Sequence, residues 1–291
     1  MANNDKTTVD FSQRRSLTPE IRVGCQSWGY DDWITQIGGG TVFYPSGTKH
    51  DQMLELYSRA FRTIEVDSTV YGVPAGTTIE KWYEQTPPEF TFSLKMPREV
   101  THERLLDDST EPIVEQFIER VSLLKEKLGV ILIQLPAAFE AVRDNAQNVR
   151  RFLARLPRGI RFAIEFRHAG WFNDWTYDEL GEADVTLALV EGKWVQRELM
   201  FASLVKLSPR FEYLRFMGER DLDKFDKVYR ERDETLEHWA KVIKNLPAKD
   251  VFIYVDNYFE GHAPATANKL NALLGLKEVE PDLLEDQPSL F

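Results

Sequence analysis

The sequence predicts a single (β/α)8 barrel of parallel strands, on three observations. Eight short β-branched or aromatic runs recur along 291 residues, helical patterns separate them, and several runs are continuously apolar. Continuous apolarity marks parallel strands covered on both faces, and regular alternation with helices within this length favours a closed barrel over an open sheet. In order, the strands are expected at IRVGCQ (21–26), RTIEVD (62–67), FTFSLK (90–95), VILIQL (130–135), IRFAIEF (160–166), VTLALV (185–190), YLRFM (213–217) and VFIYVD (251–256). Helices fill the intervals. EPIVEQFIERVSLLKEKLG (111–129) has Pro112 in its first turn, Val114, Phe117, Ile118, Val121, Leu124 and Leu128 at helical spacing, and Gly129 placed to end it. DETLEHWAKVIKNLP (233–247) repeats the logic with Leu236, Trp239, Ala240, Ile243 and Leu246, and Pro247 stops it. Long loops are expected after strands 1 and 6.

Composition sets the class. A hydrophobic share of 43% and an aromatic share of 12% supply a substantial core and exclude a long disordered chain. A formal net charge of -11 repels nucleic acid on average, so any DNA contact needs a local basic site or a tether. Cys25 is the sole cysteine, which excludes an internal disulfide, and its apolar strand makes it a buried, inert thiol. No stretch approaches the roughly 18 apolar residues of a membrane span, and the first 20 residues carry no signal-like segment. A soluble, cytoplasmic, monomeric protein is expected, with a globular domain over 21–275 and tails over 1–20 and 276–291.

Side chains alternate along a strand, so in a barrel one parity faces the helices and the other the interior. In IEVD, Ile64 and Val66 oppose Glu65 and Asp67; in AIEFR, Ile164 and Phe166 oppose Glu165 and Arg167. An isolated charge in an apolar interior costs many kcal/mol, so these groups must meet partners inside the barrel mouth. The same parity places Lys95, Gln134, Arg215 and Asp256 there. His102, His168 and His262 follow strands 3, 5 and 8 and reach the same carboxyl rim, where barrel enzymes assemble their sites. Trp28, Tyr30, Tyr71 and Trp171 lie just beyond strands 1, 2 and 5, as rings that stack on bases or sugars. Lys95, Arg167 and Arg215 neutralise the carboxylates that a metal cluster would need, so no metal or other cofactor is expected, a divalent ion being the alternative. The plainer reading is an ion-pair network that plugs the barrel.

These blocks carry a resemblance. VGCQSWGYDDW, FYP, TIEVDSTVYGVP, WYEQTPPEFTFSLKMPREVTH, ILIQLP, EFRHAGWF, YLRFMG and YVDNYFEGHAPATANKL resemble, in order, the YecE-like family, domain of unknown function 72, from about residue 21 to 275. The resemblance implies a TIM barrel and a polar set that adds Asn257 and His262 to Glu65, Asp67, Tyr71, Lys95, His102, Gln134, Glu165, Arg167, His168 and Arg215. It implies no reaction. The chain departs from the family pattern at Met217, where His is usual, and at Asp67 and Asp256, where Asn is common.

The chain ends EPDLLEDQPSLF, in which Gln287, Leu290 and Phe291 resemble the Gln-x-x-Leu-Phe peptide that docks bacterial replication and repair proteins on the DNA sliding clamp. Pro288 departs from that peptide but favours an extended backbone. A tether would offset the acidic net charge by raising local concentration near DNA. The basic stretch RRFLARLPRGIR (150–161) precedes strand 5, near the opposite end of the barrel, and is expected to be a solvated face.

The expected function is a hydrolase or other acid–base enzyme acting on a phosphate-containing substrate, a nucleic acid or nucleotide in repair or processing. Lys95, Arg167 and Arg215 would bind the anion; Glu65, Glu165, His168 and His102 would exchange protons; Asp67, Tyr71, Gln134, Trp171, Asp256, Asn257 and His262 would line the mouth. Two alternatives use the same fold: a sugar or sugar-phosphate isomerase or lyase, and a non-catalytic ligand-binding or clamp-docked module.

Overall fold

In the computed structural model, which describes residues 20–207, 209–279 and 284, nine parallel strands form one sheet. They are β1 (Glu20–Gln26), β2 (Thr63–Val66), β3 (Thr91–Lys95), β4 (Leu128–Gln134), β5 (Phe162–Glu165), β6 (Thr186–Leu187), β7 (Leu189–Glu191), β8 (Phe211–Phe216) and β9 (Asp250–Val255). Their order is β6-β5-β4-β3-β2-β1-β9-β8-β7. The two outermost members are halves of one run, parted at Ala188, whose amide donates to the Ile164 carbonyl of β5 at 2.8 Å. The sheet therefore closes on itself as an eight-staved barrel, with the expected sixth strand divided between its neighbours.

Around it lie α1 (His50–Ala60), α2 (Gly76–Glu84), α3 (Glu111–Val121), α4 (Arg143–Arg155), α5 (Asp174–Ala183), α6 (Arg197–Lys206), α7 (Asp233–Ile243), α8 (Asn257–Glu260) and α9 (Ala263–Leu274). Two expectations need correction. The helix expected over 111–129 ends at Val121, continues as a 3-10 turn through Lys127, and kinks at Lys125 with φ 52°. Gly129 is not its cap. It lies in a bulge of β4, where Phe92 pairs with Leu128 but Leu94 with Ile131. A β-carbon on Gly129 would stand 3.0 Å from Ser93 Oγ, so the small residue permits the close approach. The second long loop follows β8 (217–232) rather than the sixth strand. Buried Glu260 holds that loop: its carbonyl accepts the amides of Tyr229 and Arg230, and its Oε1 accepts that of Arg232 at 2.7 Å.

Strand parity sorts the interior into two separate apolar clusters. Ile64, Val66, Leu94, Ile133 and Ile164 pack with the helices. Val130, Leu132, Phe211, Tyr213, Phe252 and Tyr254 fill the barrel below the polar mouth. Cys25 belongs to the outer cluster, fully buried, with its thiol pushed up by that burial and therefore unreactive. Beyond residue 275, Val279 exchanges two hydrogen bonds with the Asn268 side chain (2.9 and 2.5 Å), and Leu284 is buried in the outer cluster. Packing thus extends past the expected boundary. The basic stretch is charge-paired on the outer surface: Arg150 with Glu179, Arg151 and Arg155 with Asp108, Arg161 with Asp250. No helix of the described residues is long and apolar enough to cross a membrane.

Two glycines test this packing in opposite directions. A β-carbon at Gly24 of β1 would lie 2.1 Å from the Thr63 carbonyl oxygen, so Gly24→Ala should cost about 3 kcal/mol, seen as a lower urea midpoint with unchanged slope. Gly181, inside α5 with open space around it, should gain roughly 0.5–1 kcal/mol on Gly181→Ala.

Candidate functional site

The floor of the mouth is built on one guanidinium. Arg215, 1% exposed on β8, donates from Nε to Glu65 Oε2 at 2.9 Å and from Nη2 to Glu65 Oε1 at 2.8 Å. Its Nη1 donates to Glu165 Oε2 on the far side of the barrel. Glu65 also accepts the Tyr213 hydroxyl at 2.6 Å and Gln26 Nε2 at 2.8 Å, and Glu165 accepts Arg167 Nε at 2.5 Å. Every oxygen of the two buried carboxylates thus has a donor, which is the condition for keeping such ions out of water. Burial alone would raise the Glu165 carboxyl, but Arg167 and Arg215 outweigh it and hold the group down at about 2. The same two carboxylates overcome desolvation of Arg215 and keep it charged.

This corrects the roles expected of three residues. Glu65 and Glu165 are wholly buried and doubly paired, and Arg215 has spent its donors on them. They form a floor that fixes the site, not groups that reach a ligand.

Above the floor, Lys95 pairs with Asp67 and stands 3.7 Å from Glu65 Oε1. Burial raises the half-exposed Asp67 carboxyl, yet Lys95 more than compensates and holds it below its ordinary range, with Arg215 and Arg220 adding to the effect. Arg167 is held through Nε alone. Among the described residues its two terminal nitrogens donate to nothing, and its guanidinium lies 5.1 Å from the ring of exposed Trp194. His102, from the π-turn after β3, has Thr101 Oγ1 2.8 Å from Nδ1 and Gln134 Nε2 3.4 Å from Nε2. Burial, then Arg167, Arg98 and Lys95, lowers its pKa, so it is neutral at pH 7. Asp256 accepts the Tyr258 amide at the start of α8, and burial pushes its carboxyl up to about 6. Tyr30 belongs to the same charge field: burial, then Asp256 and Asp67, pushes its hydroxyl up.

The remaining expected residues separate. His168 is half-buried and uses Nδ1 to accept the Gly170 amide at 3.2 Å, capping the turn Ala169–Trp171. Tyr71 is exposed on the turn after β2. Trp171 is not a ligand platform: it is 1% exposed, stacked on Phe166 and Phe139 at 4.6 and 5.3 Å, with Nε1 donating to the Phe139 carbonyl. Asn257 is buried, its Oδ1 accepting Trp33 Nε1 and the Ala263 amide, so it secures the β9–α9 connection. His262 is also buried, packed perpendicular to Trp33, and forms no hydrogen bond or ion pair with the floor groups among the described residues. Trp194 and Arg220, which strand parity did not find, lie in loops where period-two alternation gives no direction. The position of Trp194 just after the sixth strand was the available signal. Among the described residues, no group of three or more His, Cys, Asp or Glu is placed to hold a metal ion. Gln287, Leu290 and Phe291 lie outside the described residues.

The family described as "Protein of unknown function DUF72" matches residues 22–289. The chain belongs to this family. It is 26% identical over 285 residues to the UPF0759 protein YunF of Bacillus subtilis, covering 88% of this chain and 95% of that one. It is 29% identical over 152 residues to the UPF0759 protein YecE of Escherichia coli, covering 52% of this chain and 50% of that relative. The crystal structure of a DUF72 family protein from Thermotoga maritima superposes with TM-score 0.72 at 25% identity, covering 88% of this chain and 99% of the other. A second, from Enterococcus faecalis, has TM-score 0.69 at 20% identity and covers 88% and 96%. These matches agree with the barrel and with the family resemblance in the motifs, and none of the four descriptions states an activity.

Two stability measurements follow from the charges. Arg215→Met leaves two buried carboxylates without their shared cation and should cost about 3–5 kcal/mol, while adding Glu65→Gln and Glu165→Gln should restore a large part of it in urea titrations. Asp256 titrates at about 6 in the fold against 3.8 ordinarily. A raised carboxyl costs the fold nothing below the lower value and weakens it as pH rises through the upper one. Asp256→Asn should therefore match the parent near pH 4 and exceed it by roughly 2–3 kcal/mol at pH 8, measured by denaturant unfolding at both pH values.

Proposed function

We propose that the barrel mouth is an acid–base active site for a small phosphate-bearing substrate. The observation that carries this reading is Arg167: Glu165 fixes its Nε, its terminal nitrogens have no hydrogen-bond partner among the described residues, and it shares with Lys95 the charge field around His102. A planar fork fixed at one end matches two oxygens of a phosphate, and a nearby ammonium supplies further charge. The grip falls to Arg167 and Lys95, because the expected third cation, Arg215, is consumed by the floor.

Proton transfer falls to Asp256 and His102. Asp256, near pH 6, changes charge close to neutrality, as a general base or acid must. His102 is neutral, and its Nε2, which accepts from Gln134 Nε2, can take up a proton as that bond is released. His168 at the rim is a second imidazole within the same loop set. Trp194 and Tyr71, both exposed, supply rings for a base or sugar attached to the phosphate. The net charge of -11 disfavours a long polyanion held by the mouth alone and favours a nucleotide, or a nucleic-acid end delivered by a tether. The tether is the terminal peptide with Gln287, Leu290 and Phe291. The raised carboxyl of Asp256 favours one further reading, a sugar-phosphate isomerase or lyase in which that carboxylate removes a carbon-bound proton. A non-catalytic binding module would share the anion grip and show no turnover.

Calorimetric titration of the full chain with inorganic phosphate, adenosine monophosphate and ribose 5-phosphate tests the grip. Saturable binding of at least one is expected, weakened about tenfold or more (about 1.4 kcal/mol) by Arg167→Ala. No saturable binding, or binding indifferent to that change, overturns the reading. For the tether, removing residues 287–291 should abolish capture by an immobilised bacterial sliding clamp; equal capture, or none by the full chain, removes it.

A further inference from the structure

His262 was expected at the mouth, but it helps to line a different cleft. This space, of about 300 Å3, opens between residues 41–43, residues 226–228 and the first turns of α9. No residue of the floor lines it, and fully buried Trp33 packs perpendicular to the His262 ring with centroids 6.1 Å apart. His262 is 4% exposed, and its Nε2 is buried with no hydrogen-bond partner among the described residues. That nitrogen has no surface open to the cleft, so His262 lines the space through its other atoms.

The other lining groups define what fits. Among the described residues, Asp226 is the one charge that acts on the imidazole; its Oδ1 accepts the Tyr229 hydroxyl at 2.5 Å, and its second oxygen has no donor among them. Lys227, adjacent on the rim, rests its ammonium 5.2 Å from the Tyr229 ring. Val42, Phe43, Val228 and Pro264 make apolar walls. One anion, one cation and a neutral imidazole sum to no net charge, yet present both signs beside apolar walls. A cleft of this volume suits a small ligand.

We propose that this cleft is a second binding site, separate from the barrel mouth, for a small apolar zwitterion of the α-amino acid class. The ligand's ammonium meets Asp226, its carboxylate meets Lys227 and His262, and its side chain lies against Val42, Phe43 and Pro264. The assignment does not depend on the phosphate reading of the mouth.

Calorimetric titration of the full chain with L-leucine and L-phenylalanine tests it, alongside 2-phenylethylamine, which lacks the carboxylate, and 3-phenylpropionate, which lacks the ammonium. Saturable binding of at least one amino acid is expected, with each truncated analogue about tenfold weaker or worse. Asp226→Asn and His262→Gln should each weaken amino-acid binding by about tenfold. Lys227→Ala, at an exposed position, should do the same and decides the matter if the buried His262→Gln variant does not fold. The proposal is overturned by no saturable amino-acid binding, by analogues that bind as well as the zwitterion, or by affinity unchanged in both Asp226→Asn and Lys227→Ala.

Discussion

The Arg215 guanidinium, clamped between Glu65 and Glu165, is the constraint on which the upper barrel depends. It joins β8 to β2 and β5, strands that do not neighbour one another, across an interior that water does not reach. Taking three ions out of water is costly, and it is tolerable only because each carboxylate oxygen meets a donor. A side chain that satisfies two carboxylates at once has almost no freedom. The positions of Glu65 and Glu165 are therefore fixed, and through Glu165 so is that of Arg167.

That rigidity creates the difference between floor and rim. The floor groups are closed to solvent, and the one negative charge left over from two carboxylates and one guanidinium is met from above by Lys95 and Arg167. One layer up, Lys95, Asp67, Arg167, His102 and Asp256 share the same field but are less completely paired, so they retain capacity for a ligand or a proton. Asp256 and Glu165 illustrate the contrast. Both are buried carboxyls, but Glu165 touches two guanidinium groups and stays low, whereas Asp256 receives one backbone amide and rises towards neutrality. Direct contact with a cation decides which of the two is available for proton exchange.

Much of this arrangement was legible in the chain. Period-two alternation in IEVD and AIEFR placed Glu65, Asp67, Glu165 and Arg167 inside the barrel, because a strand gives its side chains only two directions. The same rule nominated Lys95, Gln134, Arg215 and Asp256. It failed beyond the strand ends, where backbone direction is set by capping and packing. His262, Asn257 and Trp171 follow strands closely and carry suitable chemistry, yet each turns into a connection or the core. Trp194, which does stand at the rim, lies in a loop with no periodicity. Gly129 misled for a related reason: a glycine after an apolar run marks a helix end or a bulge equally well, and only the pairing of β3 with β4 distinguishes them.

By itself the sequence determined the closed parallel barrel, the separation of apolar and charged parities, and the set of charges that must meet inside, since these follow from local periodicity and from the cost of burying an unpaired ion. Tertiary structure alone decided which acid meets which base. That choice depends on strand stagger and on distances across the barrel, which no local pattern encodes, and it is what makes Arg215 a structural clamp, Arg167 an open fork and His262 part of another cleft.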